Sequence, residues 1–85
     1  VTDLRHGVTE IQHRVLDLLD PTTSDKCVRN AAHGHDTHLF LAEKLVNYAR
    51  VNVSMRFKRD HAIEAAAHLI DVAEQLDAMI AAGDA

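Results

Sequence analysis

Between Asp36 and Ala82 the sequence contains neither glycine nor proline. A single helix over that stretch would be about 70 Å long at ~1.5 Å per residue, a length no core of a chain this small could cover. The chain must therefore turn where no obligatory breaker tells it to, and hydrophobic phase locates the turn. Leu39, Ala42, Val46, Ala49 and Val53 form one heptad stripe, which Leu41, Leu45 and Tyr48 widen to roughly half the helix circumference. Continued past Val53, that stripe would place Arg56 and Asp60 at its centre. A second stripe, Ala62, Ala66, Leu69, Ala73, Leu76 and Ile80, is out of register with the first. The break is expected between Asn52 and Asp60, with Ser54 or Asp60 capping the new helix.

The N-terminal part reads as one further helix, from about Thr2 to Leu19, on the stripe Leu4, Val8, Ile11, Val15 and Leu18. Asp20-Pro21 ends it, because the residue before proline is pushed out of the helical region. A short extra helix is possible over residues 24–33, capped by Ser24 and stopped by Gly34. The next helix starts near Asp36 or Thr37, and the last runs from about Asp60 to Ala82, with Gly83 as its C-cap. The expected fold is all-α: three main helices in one domain, residues 1–85, with the second and third forming an antiparallel hairpin.

A core of this size is marginal, because a chain this short buries only roughly 60–65% of its unfolded surface. Intrachain disulfides cannot help, since Cys27 is the only cysteine. Oligomerisation is the expected remedy, and a symmetric homodimer the commonest closed form. The wide face of the second helix, Leu39, Ala42, Val46, Ala49 and Val53, is the expected interface. A lone cysteine, and an N-terminus with no basic segment followed by an apolar run, point to a cytoplasmic protein. No apolar stretch approaches the roughly 18 residues of a membrane helix.

The chemistry-bearing residues form no recognisable catalytic set. No nucleophile–base pair or glycine-rich phosphate cradle is present, so an enzyme is not expected. The chain carries seven histidines, three of them in His33-Gly34-His35-Asp36-Thr37-His38. That tract resembles the HxHxDH motif of metallo-β-lactamase-like hydrolases, but its aspartate stands one position early. With or without Cys27, His33, His35 and His38 are ligand types suited to Zn²⁺, Ni²⁺ or Cu²⁺. Two helices repeat a histidine–acid pattern, His6, Glu10, His13, Asp17 and His61, Glu64, His68, Asp71, read as surface pairs at helical spacing.

Arg50, Arg56, Lys58 and Arg59 gather four of the nine basic residues around the expected second turn, interleaved with Met55 and Phe57. Such a knuckle suits an acidic protein surface or a phosphate backbone. The net charge of −4 argues against nucleic acid as the main partner. A competing reading starts from the alternation of residues 51–58, which has the period of a strand. Strand followed by helix resembles the ribbon-helix-helix DNA binders, and would imply an intermolecular ribbon that binds nucleic acid. The expected function is a non-enzymatic interaction or regulatory module that self-associates and binds a protein partner. The alternatives are a metal-binding or metal-sensing protein and a dimeric nucleic-acid-binding regulator.

Overall fold

A computed structural model of the protein describes residues 4–22, 27–29 and 33–83. Three helices account for most of them: α1, Leu4–Leu19; α2, His35–Val51; and α3, Met55–Ala81. No strand occurs among the described residues. The all-α expectation and the hairpin of the last two helices are borne out.

Each helix ends where local chemistry ends it. After α1, the Asp20 carboxylate accepts from the Thr22 backbone N–H at 2.9 Å and from the Thr22 hydroxyl at 2.7 Å, closing a turn through Pro21. The chain then returns, and the Val28 N–H donates to the Leu18 carbonyl at 2.8 Å. That bond satisfies one of the carbonyls a helix leaves open at its C-terminus. The short helix expected at 24–33 falls mostly outside the described residues, and Cys27–Arg29 within it are not helical. Gly34, expected to stop that helix, is instead the N-cap of α2.

The break between α2 and α3 occupies only Asn52–Ser54. The Asn52 side chain accepts from the Ser54 N–H at 2.9 Å, and the Ser54 hydroxyl caps α3 by accepting from the Phe57 N–H at 3.4 Å. The turn thus lies inside the expected window, and Ser54 rather than Asp60 begins the helix. Residues 51–58 are the end of α2, the turn and the first residues of α3, so the alternating segment is not a strand. Two side chains that hydrogen-bond to nearby backbone outweigh the period-2 pattern there. At the far end Gly83 adopts φ 87°, as a C-cap glycine does, and its N–H donates to Ile80 at 3.0 Å.

α3 is the element on which both other helices pack, and among the described residues α1 and α2 do not approach each other. Val15 and Leu19 of α1 meet Ile63 and Ala67 of α3, with Val28 closing the cluster and Leu18 and Ala66 at its edge. α2 runs antiparallel along another side of α3: His38 meets His68, while Tyr48 meets His61 near the turn. The radius of gyration is 14.2 Å, where a compact chain of this length would have about 12 Å. The chain is an open three-helix layer rather than a closed bundle.

Candidate functional site

The largest fully buried side chain among the described residues is polar. His38 is 1% exposed, and it stands on the face of α2 that also buries Ala42 one turn later. Across the hairpin lie His68 and Asp71, also buried and one turn apart on α3. His38 Nδ1 and His68 Nδ1 are 2.7 Å apart, so one ring donates and the other accepts. His38 Nε2 lies 3.7 Å from Asp71 Oδ2. With both rings neutral, the tautomers that fit both contacts put a proton on His38 Nε2, facing Asp71, and a proton on His68 Nδ1, donated to His38.

A polar fringe closes the cluster. Gln75 donates through Nε2 to Asp71 Oδ1 at 2.9 Å and to the His33 carbonyl at 3.1 Å. Arg29 Nε lies 4.0 Å from Asp71 Oδ2, and the same guanidinium pairs with Glu74. The His33 ring stands edge-on to His38, with centroids 5.6 Å apart. Burial holds the His68 pKa below its ordinary value, the neighbouring His38 and His33 lower it further, and the Asp71 carboxylate opposes them. The arrangement ties α2, α3 and the segment before α2 together around the imidazole pair, with every buried polar side-chain atom among the described residues partnered.

His33, His35 and His38 do not act as one tract. His35 turns toward the Asp36 carboxylate, 3.4 Å away, while His38 turns inward to His68. Among the described residues no set of three histidine, cysteine or acidic side chains comes together in a geometry suited to a metal ion. Cys27 is buried, and its sulfur accepts from the Arg29 N–H at 3.4 Å. His68 and Asp71 are not the surface pair that their helical spacing suggests. His61 donates through Nδ1 to the Phe57 carbonyl 2.7 Å away, an ordinary contact one turn back. The signal that His68 differs was its place beside Val72 on an apolar flank of α3.

Arg50, Arg56, Lys58 and Arg59 are exposed around the turn, as expected of a basic knuckle. Arg59 pairs with its neighbour Asp60 at 3.0 Å. Apolar side chains stand out between them: Val53 is 97% exposed, Met55 87%, and Val51 and Phe57 more than half. Of the expected interface on α2, Ala42 is buried within the chain and Ala49 is half-buried, whereas Leu39, Val46 and Val53 remain exposed. The alanine–leucine stripe of α3 is the larger surprise. Leu69 is 46% exposed and Ile80 59%, with Ala62, Ala73 and Leu76 also open. No helix of the structure is long and apolar enough to cross a membrane.

No protein-family model matches the chain, and comparison with curated proteins and with solved structures finds no match for it.

Proposed function

We propose that the protein is a non-enzymatic helical interaction module that self-associates and binds a protein partner. One observation carries this reading: the chain exposes 6412 Å² of surface, where a folded monomer of its mass exposes about 5,000 Å². Among the described residues the exposed large apolar side chains include those of the α3 stripe and of the turn. Exposed apolar area on this scale marks a surface meant to be covered. A non-enzymatic role fits the buried cluster of ionisable side chains among the described residues, because His38, His68 and Asp71 lie inside the hairpin, away from any substrate.

The basic knuckle of Arg50, Arg56, Lys58 and Arg59 is the surface proposed for the protein partner, which would present acidic side chains around an apolar contact. Native mass spectrometry of untagged protein tests self-association: the expected species contains two chains, or a multiple of two. A single chain throughout the micromolar range would refute it. For the partner surface, replacing Arg56, Lys58 and Arg59 by glutamate is expected to abolish capture of any bound protein, and capture that persists would refute it.

A further inference from the structure

We infer that the open face of α3 is the self-association surface and that two copies pair there antiparallel, about a two-fold axis at the level of Asp71. The inference rests on the proposal of self-association and adds to it the face, the direction and the register.

The face follows from how α3 is shared. At 100° per residue, the stripe Ala62, Ala66, Leu69, Ala73, Leu76 and Ile80 points roughly 120° away from the Ile63–Ala67 side that meets α1. It points roughly 110° away from the His61–His68 side that meets α2. The remaining side of α3 carries Asp71 and Gln75 and is engaged by Arg29 and the His33 carbonyl. Apart from Ala66, which also edges the α1 contact, the stripe is therefore a side of the central helix that the described residues leave exposed. It spans most of the 27 residues of α3 with the 4-3 spacing of a helix-pairing seam.

The direction follows from the order of large and small side chains. An antiparallel pair centred on Asp71 sets Ala62 opposite Ile80, Ala66 opposite Leu76 and Leu69 opposite Ala73 of the second copy, so every alanine meets a large side chain. A parallel in-register pair would stack alanine on alanine and leucine on leucine, leaving gaps in three layers and crowding the others. Alternation of large and small across a seam is what fills it at native density. The two-fold arrangement uses the same patch on both copies, so no residue is left unmatched.

Charge and area agree. The first turns of α3 carry Arg56, Lys58 and Arg59, and its last turns carry Glu74 and Asp77. Antiparallel pairing brings the basic end of each helix beside the acidic end and the negative dipole terminus of the other. The surplus over the surface of an ordinary monomer is about 1,400 Å², and a standard interface buries about 800 Å² per partner. The second copy is thus large enough an occupant to cover the stripe and leave the turn free for another protein.

Site-directed crosslinking tests the register. In a Cys27→Ala background, A62C and I80C variants are prepared separately and treated with a short bis-maleimide. Mixed, they are expected to give a covalent dimer at several times the yield of either alone, because two copies of residue 62 would lie about 27 Å apart along the pair. Efficient crosslinking of A62C alone would overturn the antiparallel arrangement. As a second variant, Leu69→Glu is expected to halve the native mass while the helical circular dichroism persists. A Leu69→Glu protein that keeps two chains, or a native dimer in which the mixed variants do not crosslink, would overturn the α3 face but leave self-association standing. A wild-type monomer would sink both.

Discussion

The buried histidine pair makes a quantitative demand on stability. His38→Leu removes the acceptor for the His68 N–H, which stays buried in the hairpin with no second acceptor in place. Leaving such a group unsatisfied costs about 1–3 kcal/mol. His68→Leu does the reverse, stranding the His38 nitrogen at a position 1% exposed, and belongs in the same range. The double variant strands neither ring, and its leucines meet across the same contact. Its total cost should therefore fall short of the sum of the single costs by about 0.5–3 kcal/mol, the coupling of residues in direct contact. This is a large fraction of the ~4–13 kcal/mol expected for a chain of this length. Urea unfolding followed by circular dichroism measures all four proteins, at one fixed protomer concentration because association adds to apparent stability. If the double variant costs the sum of the singles within about 0.5 kcal/mol, the 2.7 Å contact contributes no coupling and the assignment of donor and acceptor is wrong.

Stability should also depend on pH in one direction. Because burial keeps His68 from taking a proton in the folded chain, the unfolded chain binds more protons once the pH falls below about 6.5, and stability falls with it. The contribution is fully present above that value, declines toward the folded pKa at no more than about 1.4 kcal/mol per pH unit, and should vanish in His68→Leu. A wild-type profile flat from pH 7 to 5 would contradict the burial of the pair. At the α1–α3 contact Ala67 is 0% exposed among Val15, Leu19, Val28 and Ile63. Ala67→Leu should overfill that contact and cost about 1–3 kcal/mol in the same unfolding assay. An unchanged urea midpoint would mean that α1 is free to shift away from α3.

Much of the chain's local architecture is already decided by neighbouring residues. Asp20-Pro21 ends α1, Ser54 begins α3 and Gly83 closes it, and each acts on backbone groups within a few positions of itself. The lapse of phase between the two long stripes placed the hairpin turn without any glycine or proline, since a helix face cannot stay apolar through Arg56 and Asp60. Periodicity could not say which apolar face the chain would bury. α3 is apolar on several sides, and only the docking of α1 on Ile63 and Ala67 and of α2 along His68 leaves the Ala62–Ile80 stripe open. The same limit hid the polar cluster. His38 and His68 lie 30 positions apart, and whether they touch depends on the register that a three-residue turn imposes on two helices. Short-range hydrogen bonding therefore determined where each helix starts and stops. Long-range packing alone decided that two histidines with ordinary surface spacing would be buried against each other, and that the best-formed stripe would remain uncovered.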